Sequence, residues 1–511
     1  MHPTQVQQAC YHRCARAVHT RDDDGLLSSV QGNALICYHQ LNISFYIKRK
    51  YETRTRNHTA IRQILYTMTR PRVHKIYRRI RPWLADMGVL AGLRKIFPQE
   101  LRTRIAIKLG LSGFDISQAM GKHAYNRHRA PSMQPTHISG VRFITNRDAP
   151  LGLATNSRAL RTGLQRLQLP VHYYHFQDAS SSTPCPDAPS SAHQQVSIID
   201  ADFHYLLDAL NASANLVRET YRIGIWHWEL DRLPAHAVHL SQCLHEIWTN
   251  SHYMADIIRA GVTCPVKRFT PLVQPPQPRP DGRQRFGLAD DDVIFLFSFD
   301  ALSSIARKNP FAVIQAFAQA FGGSSTHARL VIKANNLHRP DQRSAQAALV
   351  SAIAAVDGIL IEDHLTRADM DTLLAACDCY VSLHRAEGFG FGMAEAMLLG
   401  KPVIATAYSG NLDFMTPDTS YLVDYALADI TSAQHAHQPY MTHLYPVGYR
   451  WAEPDVQHAA QLMRAVYDDR DTAHTIGKRG QAHARAVFSE ASVTRVLRQN
   501  LSAIAPLNIP T

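Results

Sequence analysis

Between residues 293 and 406, five short apolar runs alternate with helical patterns, and that alternation leaves few folds open. The runs are VIFLFSF, ARLVIKA, GILIED, CYVSL and PVIAT; the segments PFAVIQAFAQAF, RADMDTLLAAC and GMAEAMLLG lie between them. Strands this apolar have no face to turn to water, so helices must cover both sides. The expectation is a parallel sheet wound with helices. Thr366, with Asp369 just inside the next helix, is placed to cap it.

An earlier stretch follows the same logic. From Gly140, GVRFIT reads as a strand, NRDAPLGLATNS as a loop holding Gly152, ATNSRALRTGLQRL as a helix and PVHYYHF as the next strand. A strand, glycine loop, helix and strand in that order open a Rossmann-like sheet. VSIID, RIGIWHWEL and EIWTNS continue it, while the Ser/Pro-rich residues 178–193 are expected to form a flexible surface loop. Residues 271–286 hold five prolines and read as a stiff, extended connector. The chain from AEPDVQHAAQLMRAVYDD onward reads as closing helices.

The expected organisation is therefore α/β, with two Rossmann-like, doubly wound parallel-sheet domains facing a cleft. A basic, mainly helical extension occupies 1–138, a first (acceptor) domain 139–272, a proline-rich linker 273–286, a second (donor) domain 287–490 and a tail 491–511. A length of 511 residues suits two or three domains.

Charge separates the extension from the rest. Residues 1–140 hold 23 Lys and Arg against 7 Asp and Glu, a net of +16, whereas the remainder carries −4. Basicity confined to one end points to an anionic surface there and not to a nucleic-acid binder. Within it, Arg72 to Leu111 mixes basic residues with Ile, Leu, Trp83 and Phe97. Such a stretch reads either as amphipathic helices lying on anionic lipid through residues 1–135, or as a solvated helical extension packed on the core. There is no run of 18 apolar residues and no apolar segment at the start that reads as a secretory signal. Eight scattered cysteines suit a reducing compartment. Cys10 and Cys14 have no second pair at zinc-finger spacing, and Cys377 and Cys379 sit in an apolar segment as core residues. The expected location is the cytoplasm, with the inner face of the cytoplasmic membrane as the surface the basic segment would meet.

Chemistry concentrates in residues 379–414, CYVSLHRAEGFGFGMAEAMLLGKPVIATAYSGNLDF. A strand ends at Leu383, a glycine-bearing loop follows, and a helix begins near Phe391 or Gly392. Ligands of open α/β sheets bind beyond the carboxyl ends of the strands. The free N–H groups and dipole of a helix start suit a pyrophosphate, and Gly388 and Gly390 let backbone approach it. Glu387 and Glu395 offer two acceptors for paired hydroxyls of a sugar and a ribose. Each taken alone is as readily a structural acid near a helix start. The tripeptide Asp200-Ala201-Asp202 after VSII could be drawn as a metal-binding pair, but such tripeptides recur by chance, as in Asp290-Asp291-Asp292.

EGFGFGMAE resembles the E-x7-E motif of retaining GT-B glycosyltransferases, in particular family 4. The resemblance implies that Glu387 contacts the donor hexose and Glu395 the nucleotide ribose. It also implies that Gly388, Phe389, Gly390 and the loop Ser409, Gly410 and Asn411 line the donor site. FSFDALSSIARKNPFAVIQAF is a second match. It places Lys308 on the donor phosphates with Arg307 as helper, and two cations can stabilise leaving-group charge without a metal. One departure is that many members carry an Arg after the strand end, where this chain has Phe299, Asp300, Ala301 and Leu302. Arg307 or Lys333 would then take its place.

IGIWHWELDRLP, EIWTNSHYMADII, RKNP, SGNLDF and WAEPD together resemble a bacterial subgroup of mannosyl- and rhamnosyl-transferases acting in surface-polysaccharide assembly. The likeness runs from about residue 140 to 490, and residues 1–140 fall outside it. Within WHWEL, Glu229 and His227 are the candidates for acceptor activation, and Gly152 is the glycine of the first-domain loop. A retaining enzyme of this type works by front-face attack and needs no protein nucleophile. The resemblance implies a nucleotide-sugar co-substrate, a glycan or lipid-linked oligosaccharide acceptor, and no metal or other cofactor. Two other readings stay open: a non-catalytic nucleotide-sugar-binding or scaffolding subunit, and a GT-B sugar-nucleotide epimerase.

Overall fold

The computed structural model describes residues 128–146, 152–178, 181–184, 195–322, 327–438, 441 and 444–508. All fall within one compact unit. The basic stretch 72–111, Cys10 and Cys14 lie outside the described residues, as do 147–151 and 185–194.

The first sheet begins with β1 (Val141–Thr145), helix α1 (Gly152–Arg166), β2 (Val171–Asp178) and β3 (Ser181–Pro184). It continues through β4 (Val196–Asp200), α2 (Leu206–Ala212), α3 (Ala214–Val217), β5 (Tyr221–Ile225), α4 (Ala235–Leu240), β6 (Glu246–Thr249), α5 (His252–Gly261) and β7 (Val266–Arg268). The strand order is β3-β2-β1-β4-β5-β6-β7. Every pair is parallel except β2 with β3. β4, β5 and β6 are buried along their whole length, as near-continuous apolar runs between two helical layers should be. β3 falls inside the stretch expected to be a loop. Its sequence, Ser-Ser-Thr-Pro, has no apolar alternation, and it joins the sheet edge by backbone pairing to β2.

The second sheet starts with β8 (Val293–Asp300), a one-turn helix α6 (Ile305–Lys308), α7 (Pro310–Phe321), β9 (Ala328–Asn335), α8 (Arg343–Ala354) and β10 (Ile359–Ile361). Then come α9 (Arg367–Ala376), β11 (Cys379–Ser382), α10 (Phe391–Leu398), β12 (Val403–Thr406) and β13 (Tyr421–Val423). Its order, β10-β9-β8-β11-β12-β13, is wholly parallel. The expected pair of Rossmann-like sheets is thus present, and in each the winding reverses once, between β1 and β4 and between β8 and β11. Thr366 caps α9 by accepting from the Asp369 N–H at 3.2 Å. The proline-rich segment between the sheets is pinned to α9: the Gln277 N–H donates to Asp371 and the Arg279 N–H to Thr372, each at 2.8 Å.

An antiparallel ribbon follows, β14 (Tyr425–Asp429) with β15 (Arg450–Pro454). Three helices close the chain, α11 (Val456–Asp468), α12 (Arg470–Val487) and α13 (Glu490–Ser502). α11 adds Ala459, Met463 and Val466 to the core around Phe317. α13 does not stay with the second sheet. Its stripe Val493, Leu497 and Leu501, spaced one helical turn apart, packs into the first-sheet core with Val141, Leu160 and Phe269. The stretch expected to be a tail is therefore a helix that covers the first domain. Cys377 and Cys379 are core residues. Among the described residues, no helix is long and apolar enough to cross a membrane.

Candidate functional site

The second sheet's reversal point lies between β8 and β11, and the segments leaving those two strands converge there. After β8, Ser304 accepts from the Arg307 N–H and caps α6, so Arg307 and Lys308 stand on a helical turn and not in an open loop. After β11 comes the loop bearing Glu387. The Lys308 ammonium donates to Glu387 Oε1. Arg307 Nη1 donates to the Ala386 carbonyl at 2.7 Å and stands 3.4 Å from the same carboxylate oxygen. Burial opposes ionisation of Glu387, but Lys308, Arg307 and His384 outweigh it and hold its pKa down at about 2. Burial likewise opposes the Arg307 charge, and Glu229, Tyr445 and Glu387 together hold that guanidinium above its ordinary value.

The loop is fixed from beneath by the segment after β12. The Glu387 N–H donates to Ser409 Oγ at 2.8 Å, and the Gly410 N–H donates to the Glu387 carbonyl at 2.9 Å. Ser409 has φ 80° and ψ −149°, a region nearly reserved for glycine. That strain is held in place by these two bonds. Asn411 is spent internally: its Nδ2 donates to the Thr406 carbonyl at 3.1 Å and its Oδ1 lies 3.2 Å from His384 Nε2. Nε2 also faces the Tyr408 carbonyl at 3.1 Å, so the ring donates from that nitrogen. Gly390 ends the loop at φ 97° and starts α10, whose first N–H groups have no intrahelical acceptor. The Phe389 ring turns into the core against Phe391, Phe414 and Phe488, leaving only its backbone at the site.

Glu395 and Lys333 take partners outside this cluster. Glu395 is paired with Arg367 at 2.6 Å, and burial raises its pKa while Arg367 opposes the rise. Lys333 is only 1% exposed and donates to Asn335 Oδ1 at 2.6 Å; burial lowers its pKa. Gly152 opens α1 on the first sheet.

From the first domain, Glu229 in the loop after β5 places Oε1 3.5 Å from Arg307 Nη1 and accepts from Tyr445 Oη at 3.2 Å. His227 is held between Asp202, 3.0 Å from Nδ1, and Asn156, whose Nδ2 is 2.8 Å from Nε2. An amide donor on Nε2 makes Nδ1 the protonated nitrogen. Asp200 accepts from Thr145 Oγ1 at 3.1 Å. The two acids of the Asp-Ala-Asp tripeptide are thus engaged by protein groups. Tyr445, Asn156 and Arg367 carried no signal in the sequence. Asp202 was visible only as half of a metal-like tripeptide.

The low pKa of Glu387 sets a pH dependence. A carboxyl at about 2 in the folded protein and at an ordinary value when unfolded stabilises the fold fully above the unfolded pKa. That contribution is lost as pH falls toward about 2. Urea midpoints of the wild type and Glu387→Gln should therefore differ most at neutral pH and converge on acidification from about pH 5 downward. A gap that is constant from pH 7 to 3 would contradict the pairing.

A family model described as Glycosyl transferases group 1 matches residues 279–428, the stretch holding Arg307, Lys308, Glu387, Glu395 and Ser409 to Asn411. Sucrose-phosphate synthase from Thermosynechococcus elongatus aligns with a TM-score of 0.51 at 15% identity, over 71% of this chain and 100% of that one. HepE from Anabaena, solved in complex with UDP-glucose, gives a TM-score of 0.49 at 19% identity, over 71% of this chain and 99% of that one. No curated protein sequence matches the chain. At such identities the structural likeness establishes the fold, which is the two-domain GT-B architecture. With a group 1 domain on that fold, the chain is a glycosyltransferase.

Proposed function

We propose that this glycosyltransferase moves a hexose, with retention of anomeric configuration, from a nucleotide-sugar to a glycan or lipid-linked oligosaccharide during cell-surface polysaccharide assembly. We place it with family 4. The observation that carries the reading is the Lys308–Glu387 pair at the reversal point of the second sheet, beside the open helix start at Gly390.

In this reading the donor diphosphate lies between Lys308 and the start of α10, where an ammonium and backbone N–H groups take up leaving-group charge. No metal is called on. Glu387 orients the hexose hydroxyls. Glu395 meets the ribose, sharing or releasing Arg367 as it does so. Arg307 is too enclosed to lie along a phosphate in this arrangement, with its side chain 4% exposed. Its part is to hold Glu387. The first domain presents the acceptor near Glu229 and His227, and closure of the cleft keeps water from the donor. The basic first 135 residues would bring the chain to an anionic membrane surface.

A thermal-shift screen with GDP, UDP, ADP and dTDP and their common sugar conjugates, without added metal, tests this reading. A ligand that binds only the folded protein stabilises it by about 2.7 kcal/mol at a hundredfold excess over Kd. The expected result is one nucleotide series that raises Tm, with the rise abolished in Lys308→Ala. Silence from every nucleotide, with or without magnesium, would overturn the donor assignment.

A further inference from the structure

Resting on that reading, we propose that Arg307 and Tyr445 are positioning residues. They fix the acceptor-side carboxylate Glu229 against the donor-side carboxylate Glu387, so that orienting Glu229 and closing the cleft become one event. Both carboxylate oxygens of Glu229 are engaged. Oε1 stands 3.5 Å from Arg307 Nη1, and Oε2 accepts from Tyr445 Oη at 3.2 Å. A carboxylate with a cation on one oxygen and a phenol on the other has a single orientation. Arg307 cannot turn away, because the same nitrogen donates to the Ala386 carbonyl and faces Glu387 at 3.4 Å.

Tyr445 is equally constrained. It is buried, its ring lies against Trp451, and its carbonyl oxygen is 3.1 Å from His435 Nε2. It belongs to residues 430–454, which leave the second domain and meet the first at a second place. There Arg450 donates to Asp231 through its backbone N–H at 3.0 Å and through Nε at 3.3 Å, and Arg232 donates to the Gly448 carbonyl at 2.8 Å. Glu229 belongs to the first domain and Arg307 to the second, while Tyr445 comes from a segment of the second that packs into one core with Trp226 and Trp228 of the first. The orientation of Glu229 therefore exists only when the domains meet.

A latch that merely held the domains together would survive loss of one hydroxyl, since the Arg450–Asp231 contact remains. A positioning role would not. The test measures release of nucleoside diphosphate from UDP-glucose, GDP-mannose, ADP-glucose and dTDP-rhamnose by the full chain as the sugar passes to water in place of an acceptor hydroxyl. With the donor that turns over, Tyr445→Phe should lower kcat about tenfold, the size expected for a hydrogen bond to a charged group, and leave donor KM within about twofold. In a Glu229→Ala background the same change should cost nothing further. Asp231→Asn, which loosens only the second contact, should leave kcat within about twofold. Unchanged kcat in Tyr445→Phe, or losses that add in the double variant, would overturn the proposal.

The same double-variant cycle on urea midpoints, without donor, tests the contact itself, and additive shifts there also overturn it. A wild-type protein that releases no nucleoside diphosphate sinks the donor reading and the positioning role with it. Coupled urea shifts in that case would assign the failure to the donor reading and not to the contact.

Discussion

Replacing Lys308 by alanine should lower sugar transfer on the order of 10²-fold or more, as loss of about 2–4 kcal/mol of charge stabilisation at a leaving group implies. The size follows from the lack of a substitute. Lys308 is partly exposed at the end of α6, with 19% of its side chain open, so its ammonium can turn from Glu387 to a phosphate. Arg307, one residue earlier, is committed to the Ala386 carbonyl and to two carboxylates. Lys333 is buried on Asn335 at the end of β9. Neither can move in without giving up a partner in the interior, and an unpaired buried charge is costly. Asp300 at the end of β8 adds no cation, its carboxylate being taken by the Leu302 N–H and Asn336.

Transfer rate, nucleoside diphosphate affinity and Tm should be measured together on Lys308→Ala and Lys308→Arg. Weaker nucleotide binding with a modest change in Tm is expected for alanine, and partial recovery for arginine, which keeps the charge but not the point geometry. Transfer by Lys308→Ala at near wild-type rate would end the assignment.

What the sequence disclosed and what it withheld divide along a physical line. Strand periodicity, the glycine loop before α10 and the Thr366 cap are local patterns, each read within one or two turns of chain. They placed both sheets and the strand ends where Glu387 and Lys308 meet. Which partner a charged side chain takes is a tertiary matter. Arg307 and Lys308 are neighbours in sequence, but one helical turn sends the first into the interior and leaves the second at the surface. Glu395 carries the spacing of a ligand contact, yet pairs with Arg367 from another helix. Tyr445 lies in a stretch without periodicity and reaches Glu229 across 216 positions. Residues 491–511 read as a tail, and the stripe of α13 finds its partner in the first sheet, far from it in sequence. Phe389 sits inside the motif and serves the core, because a loop between strand and helix still needs an apolar anchor.

The loop crossing beneath Glu387 offers the second large effect. In Gly410→Ala the new Cβ would lie 2.0 Å from the Gly388 carbonyl oxygen, 2.5 Å from its carbon and 2.9 Å from the Phe389 nitrogen. All three are backbone atoms, so no side chain can swing aside. One loop must lift from the other, and lifting breaks both bonds that join them, from the Gly410 N–H to the Glu387 carbonyl and from the Glu387 N–H to Ser409 Oγ. Overpacking and two lost hydrogen bonds together should cost about 2–4 kcal/mol. Glu387 should lose its register with Lys308, so nucleotide affinity and transfer should fall further than stability alone explains.

Gly388→Ala is the matched control on the facing loop of the crossing. There the added methyl meets Met254 Sδ at 3.1 Å and Cε at 3.3 Å, the far end of a flexible side chain that can repack. Its effect on Tm should be small. If Gly410→Ala instead melts like the wild type and binds nucleotide as tightly, the two loops do not cross at backbone contact, and Glu387 owes its position to Lys308 and Arg307 alone.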